Sequence, residues 1–200
     1  MPPGIRRAVG PGTEGEFLHL QALASFARYV DWINDSVGRA VAWLTLAMVL
    51  VTFLVVILRY GFALGWVWVQ EFYVWLHGIV FMAAAGYTLL HDQHVRVDVF
   101  YRPRGPRFKA WVDLLGVLLL LLPFLLTIAF VSWPYVVISW VRFEESYEAG
   151  GMPGLFLLKT MILVFCALVG LQGLSLAARS VLVLAGHGQD EAENMQPKAP

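Results

Sequence analysis

Charged residues are scarce in this sequence. Lys and Arg together number 14 and Asp and Glu number 14 among 200 residues, so only 14% of the chain is charged. Soluble proteins carry about a quarter. The equal numbers leave no net charge, so the composition gives no bulk signal for nucleic-acid binding. The single cysteine, Cys166, excludes an intramolecular disulfide, a thiolate zinc site and a self-contained iron-sulfur cluster. With 59% hydrophobic residues and a mean hydropathy of +0.69, the chain is predicted to have lipid as its main solvent.

Four long stretches of the sequence carry no Asp, Glu, Lys or Arg. They comprise residues 40–58, 72–90, 114–141 and 160–178. Each is long enough to cross the hydrocarbon core as a helix, for which roughly 20 apolar residues are needed. The third is longer than a perpendicular span requires and contains Pro123 and Pro134, so we expect tilt or a proline kink there. Backbone groups in lipid must be satisfied within the fold, so the prediction is an all-α membrane protein with four transmembrane helices.

The segment before the first span has a helical apolar pattern. Apolar residues recur there at steps of three and four: Leu20, Leu23, Ala27, Val30, Ile33 and Val37. This spacing predicts an amphipathic N-terminal helix, which either lies in the membrane interface or extends the first span into the cytoplasm. The Pro- and Gly-rich residues 1–16 are predicted to be a flexible tail, and the polar residues 186–200 a disordered one. Between them, residues 17–185 form the predicted membrane domain.

The distribution of Lys and Arg predicts the orientation. Eleven of these residues lie in the N-terminal segment, the loop between the second and third spans, and the C-terminal end, whereas only Arg59, Arg142 and Lys159 lie on the other side. Positively charged residues accumulate on the cytoplasmic side of membrane proteins. Both termini are therefore predicted to be cytoplasmic.

The spans contain almost no ionisable residue. His77 is the exception, and an ionisable group in a span is a functional candidate by default. It is compatible with haem ligation in the membrane anchor of an oxidoreductase, but the other three spans offer no second histidine, so a neutral interhelical hydrogen bond is favoured. A self-sufficient small transporter would need buried carboxylates or broken helices near the midplane, and the sequence shows neither. Catalytic motifs are also missing, so we predict neither an enzyme nor a cofactor.

Small and polar residues mark possible contact surfaces. Glycines in the second and fourth spans allow helices to approach closely, most simply within this chain; they are Gly78, Gly86, Gly170 and Gly173. After the second span, His94, Arg96 and Asp98 alternate with valines, as in an extended segment. Arg59 and Glu71 flank a short loop and are expected to form an ion pair. An acidic group, Glu144, Glu145 and Glu148, is either a solvated loop or a docking surface for a soluble partner.

The order of several short motifs resembles that of one transporter family. They comprise Arg59-Tyr60 at the end of the first span, Trp66 or Trp68 before Glu71, a Gly- and Ala-rich second span, and His94-Val95-Arg96-Val97-Asp98. The later run from Glu145 to Pro153, followed by Leu158-Lys159 and Leu171-Gln172-Gly173, is similar to one branch of the same family. Over residues 40 to 180 the chain resembles the small membrane subunit, the DctQ-like Q subunit, of tripartite ATP-independent periplasmic (TRAP) transporters. Gln70 departs from the family pattern, which has an acidic residue before Glu71.

The resemblance implies a role without substrate chemistry. In such transporters a periplasmic binding protein delivers a small organic acid to a large multi-span subunit, which uses a cation gradient for uptake. The small subunit is implied to brace that large subunit in the bacterial inner membrane. The same resemblance implies that a set of residues determines helix ends or large-subunit contacts: Arg59, Tyr60, Trp66, Glu71, His94, Arg96 and Asp98.

Overall fold

The computed structural model describes residues 11–93 and 103–186, without the side chains of residues 11–18. This part of the chain is helical and contains no strand. The helices are α1 (Pro11–Gly61), α2 (Val67–Ala83), α3 (Ala85–Leu90), α4 (Pro106–Gly116), α5 (Leu122–Val141) and α6 (Leu155–Leu184), with a π-helical turn, Val117–Leu121, between α4 and α5. Four continuous segments are long and apolar enough to cross a membrane: His19–Gly61, Val67–Leu90, Pro106–Val141 and Leu155–Leu184. The predicted all-α architecture with four spans is confirmed.

Helix α1 joins the N-terminal segment to the first span without a break. Its 51 residues correspond to about 76 Å, more than twice the roughly 30 Å of a hydrocarbon core. Of the two alternatives for the N-terminal segment, the structure therefore has the extension of the first span. The helix begins at Pro11, within the predicted tail, and proline is favoured in the first turn because it has no N–H to leave unpaired. The predicted tails otherwise fall in residues 1–10 and 187–200, outside the described part of the chain.

The second and third spans each contain one local irregularity. Ala84 separates α2 from α3 while its N–H still bonds to the Val80 carbonyl at 2.9 Å, so the span remains continuous. In the third span the π-helical turn ends at Leu121, two residues before Pro123, and includes Leu119, four residues before the proline. A proline ring collides with the carbonyl four residues earlier in a regular helix, and a wider turn at that place relieves the collision.

Helix α6 is the centre of the bundle, because it packs against every other helix. Two apolar clusters contribute to its contacts. One joins Leu168 to Val41 of α1 and Ala83 of α2, and the other joins Cys166 and Val169 to Leu125 of α5. The exposed apolar side chains lie mainly on the outer faces of α1 and α5, where lipid or another subunit would cover them.

Candidate functional site

The end of the bundle that carries the loops 62–66 and 142–154 is called the loop end here. Glu71 lies at this end, near the start of α2. Its carboxylate accepts a hydrogen bond from the Ser146 hydroxyl and a second from the Met152 backbone N–H, at 2.6 Å. Ser146 and Met152 also bond to each other through their backbones, at 3.1 Å. Glu71 thus ties the loop 142–154 to α2.

Gly151 is required by this arrangement. A Cβ atom on Gly151 would lie 2.5 Å from the Ser146 hydroxyl oxygen and 2.7 Å from Oε2 of Glu71. Any side chain would therefore push the loop away from the carboxylate that holds it. The Gly150-Gly151 pair in the sequence marks this close approach.

The predicted ion pair between Arg59 and Glu71 is not formed. Both residues are described, and no ion pair joins them within this part of the chain, because the loop 142–154 already supplies the donors for Glu71. Arg59 is exposed in the last turn of α1. Tyr60, at 82% exposed, and Trp66, at 46%, also project from the loop end. These three side chains are available to a partner or to lipid headgroups.

Lys159 is a buried cation at the loop end. Its residue is 8% exposed, its Nζ lies 2.5 Å from Oε2 of Glu144, and it stands 4.0 Å above the Tyr135 ring. The Tyr147 hydroxyl donates a further hydrogen bond to Glu144. The hydrogen bond from Lys159, with that from Tyr147, lowers the pKa of Glu144 from 4.5 to about 2. The same contact with the Glu144 carboxylate raises the pKa of Tyr147.

The three glutamates of the acidic group in the loop 142–154 therefore have different environments. Glu144 is partly buried and holds the Lys159 ammonium, so it belongs to the internal structure of the loop end. Glu145 and Glu148 are exposed. Only these two carboxylates have their side chains open to a soluble partner.

A second polar cluster joins α1 to α6, which are far apart in the sequence. Oδ1 of Asp31 in α1 accepts hydrogen bonds from Gln172 at 2.9 Å and Ser175 at 2.8 Å, and it pairs with Arg179 at 3.3 Å. Asn34, 1% exposed, donates to Oε1 of Gln172 at 2.9 Å. We call these five residues the Asp31 cluster. It fastens the N-terminal half of α1 to the C-terminal half of α6.

Sequence reasoning did not find the Asp31 cluster. A signal was present, since Gln172, Ser175 and Arg179 recur at steps of three and four on α6 and share one face. Asp31 and Asn34 lie three residues apart on α1 and share a face in the same way. Nothing in the sequence indicated that these two faces meet.

The four predicted packing glycines all lie in helices, at different distances from their neighbours. A Cβ on Gly86 would overlap the Asn34 side chain and lie 3.2 Å from the Leu168 carbonyl oxygen. On Gly173 it would lie 2.7 Å from a methyl carbon of Leu121. Gly78 and Gly170 have more space, because a Cβ on them would lie 3.2 Å and 3.7 Å, respectively, from the nearest atom. At Gly86 and Gly173, the close helix packing within this chain is possible only because glycine has no side chain.

His94, Arg96 and Asp98 fall within residues 94–102, outside the described part of the chain. His91, just before them, is described. Its ring contacts Tyr87, with 4.2 Å between centroids, and its Nε2 lies 3.5 Å from Oδ1 of Asp35.

Comparisons with known proteins agree with the fold. One family model matches residues 48–183, about two thirds of the chain, and its description is "Tripartite ATP-independent periplasmic transporters, DctQ component". The match begins inside α1 and ends at the last residues of α6, so it includes the loop end, the last part of the first span and nearly all of the other three spans. Searches of curated proteins and of solved structures gave no match.

Proposed function

We propose that this chain braces a large multi-span membrane subunit during uptake of an organic acid. The premise is that the chain belongs to the family of DctQ components of TRAP transporters. Membership makes the chain a multi-pass component of a tripartite transporter. The proposal adds that a cation gradient drives uptake, that a periplasmic binding protein delivers the substrate, and that the membrane is the bacterial inner membrane.

The family match carries this proposal, and the use of polar groups in the structure supports it. Glu71, Lys159 and the Asp31 cluster bind loops and helices of the same chain, so their contacts stabilise the bundle itself. Apolar side chains remain exposed on each spanning helix, as expected for a subunit whose outer surface contacts both lipid and another membrane protein. A bracing role requires these two properties, a rigid interior and an outer surface for packing.

Co-purification tests the proposed function. The chain, tagged and co-expressed with the large subunit from the same source, is expected to retain that subunit through mild-detergent purification. Proteoliposomes that contain both subunits and receive the loaded binding protein should take up substrate, whereas vesicles lacking this chain should not. Uptake by this chain alone would contradict the bracing role, as would a haem Soret band in the purified protein.

The proposed orientation places both termini in the cytoplasm and the loop end outside. In a Cys166→Ser background, we expect an impermeant maleimide to label Gly65→Cys and Ala149→Cys in intact cells. Gly105→Cys should be labelled only after the membrane is opened, because it lies in the positively charged middle loop. If only Gly105→Cys were labelled in intact cells, the orientation would be the opposite of the one proposed.

We also propose that Glu145 and Glu148 help to receive the binding protein. Exposed carboxylates raise the association rate of a partner with complementary charge, and salt screens this effect over about 8 to 10 Å. The double variant Glu145→Lys/Glu148→Lys should raise the half-saturating concentration of binding protein several-fold at low salt and much less at high salt. The matched control, Glu191→Lys/Glu193→Lys, changes the same charge near the C-terminus, on the proposed cytoplasmic side. Equal uptake curves for both double variants at low salt would remove the docking role.

A further inference from the structure

His77 has an unusual position for an ionisable side chain. It lies near the middle of the span Val67–Leu90, about 15 Å along the helix from Val67. Its side chain is exposed, and within the described part of the chain it has no hydrogen-bond partner. The interhelical hydrogen bond expected from the sequence is therefore not made among residues 11–93 and 103–186.

An exposed imidazole at this depth needs a partner from another molecule. Its ring carries one N–H donor and one acceptor nitrogen, and leaving such groups unpaired in hydrocarbon is strongly unfavourable. An acyl chain offers no hydrogen-bonding group, so lipid tails alone do not satisfy His77. A neighbouring transmembrane helix with a polar side chain does.

The surface around His77 has the shape of a helix-packing site. Val74, His77 and Phe81 follow one another at steps of three and four on α2, and we call them the α2 ridge. Val74 is 53% exposed and Phe81 is 66% exposed. Residues at this spacing form a continuous row on one helix face, and such rows fit the grooves of a second helix.

Two grooves flank the α2 ridge. One, of about 580 Å³, lies between α1 and α2 and is lined on the α1 side by Val49, Phe53 and Val56. The other, of about 640 Å³, lies between α2 and α6 and includes Leu158 and Ile162. Both grooves include Val74 and His77. The side chains of a second helix could therefore pack into the two grooves on either side of the α2 ridge.

We infer that the large membrane subunit packs on the α2 ridge, through a transmembrane helix whose polar side chain hydrogen-bonds to His77. This inference rests on the proposed function, which supplies the large subunit as the partner. It adds the face of the chain that is used and the chemistry required of the partner helix. An apolar helix would fill the grooves and leave the imidazole unpaired.

Photo-crosslinking tests the position of this interface. We replace Phe81 by p-benzoylphenylalanine in the co-expressed complex, and Phe130 of α5 as a matched control, since it is also an exposed phenylalanine on a spanning helix, at 82%. Ultraviolet light is expected to join the Phe81 variant to the large subunit and to leave the Phe130 variant mainly unjoined. The inference is overturned if the complex is intact and the Phe81 variant yields only lipid adducts, only dimers of this chain, or no more large-subunit adduct than the Phe130 variant.

Substitution of His77 tests the chemistry. His77→Leu keeps an apolar side chain and should reduce the large subunit retained in detergent by about threefold or more, the loss expected for one interhelical hydrogen bond. His77→Gln keeps a donor and an acceptor and should retain most of it. Because His77 has no partner within the described chain, both variants should elute as wild type when purified alone. Equal retention by His77→Leu and wild type would overturn the inference, whereas failure of the wild-type chain to retain the large subunit would contradict the proposed function itself.

Discussion

Replacing Asp31 by alanine is expected to lower the free energy of unfolding of the detergent-solubilised chain by about 2 to 3 kcal/mol. One carboxylate oxygen receives hydrogen bonds from Gln172 and Ser175 and also pairs with Arg179. Without it, the Arg179 guanidinium, whose side chain is 16% exposed, keeps its charge but loses its counterion. The remaining exposure reduces the cost below that of a fully buried pair.

The Asp31 prediction is checked by denaturant titration followed by circular dichroism. Arg28→Ala is the matched control, because Arg28 is a charged residue of the same helix on its exposed face. Asp31→Asn should fall between the two, since its amide oxygen still accepts hydrogen bonds but no longer neutralises Arg179. If Asp31→Ala unfolds at the same denaturant concentration as Arg28→Ala, the cluster does not stabilise the fold.

Replacing Glu144 by glutamine is expected to loosen the loop 142–154 at neutral pH. The substitution removes the anion that holds the buried Lys159 ammonium, and charge-assisted hydrogen bonds of this kind are stronger than neutral ones. Hydrogen exchange of the Met152 backbone N–H, which bonds to Glu71, should become roughly tenfold faster. Glu148→Gln is the control, because Glu148 is an exposed carboxylate of the same loop. Equal exchange in the two variants would show that the Lys159 contact does not order the loop.

The Glu144 contact also predicts a pH dependence. The pKa of Glu144 is lowered by its hydrogen bond with Lys159 from 4.5 in the unfolded chain to about 2 in the folded one. The folded state therefore gains its full contribution above about pH 4.5 and loses it progressively as the pH falls toward 2. The difference in Met152 N–H exchange between wild type and Glu144→Gln should be constant at neutral pH and shrink in this acid range. A difference that stays constant down to pH 2.5 would contradict this assignment.

The transmembrane spans could be predicted because their signal is local. A span is an uninterrupted run of apolar residues whose length matches the hydrocarbon thickness, and residues 40–58 and 160–178 show this directly. The extent of α1 could not be predicted in the same way. Polar residues before Ala40 are compatible both with an interfacial helix and with an extended one, and packing against α6 decides between them.

The contacts of the polar residues could not be predicted because they depend on how the helices are rotated and placed. Asp31 and Arg179 are separated by 148 positions, and only the packing of α1 on α6 brings them together. Glu71 illustrates a different difficulty. Opposite charge and short separation favour Arg59 as its partner, but the structure uses a hydroxyl and a backbone N–H from an irregular loop 75 to 81 positions away.

The central place of α6 has a consequence for biogenesis. This helix leaves the ribosome after the other described helices, and 44% of its most apolar window is buried, compared with 6% in α1. The first three spans therefore enter the bilayer before the helix that all of them contact has been made. Until then, Asp31 lacks the donors and the counterion that α6 supplies. Folding of the bundle is thus an assembly of helices that are already inserted, and in a nascent chain interrupted before Leu155 the Asp31 carboxylate and the faces at Gly78 and Gly86 lack the helix that covers them.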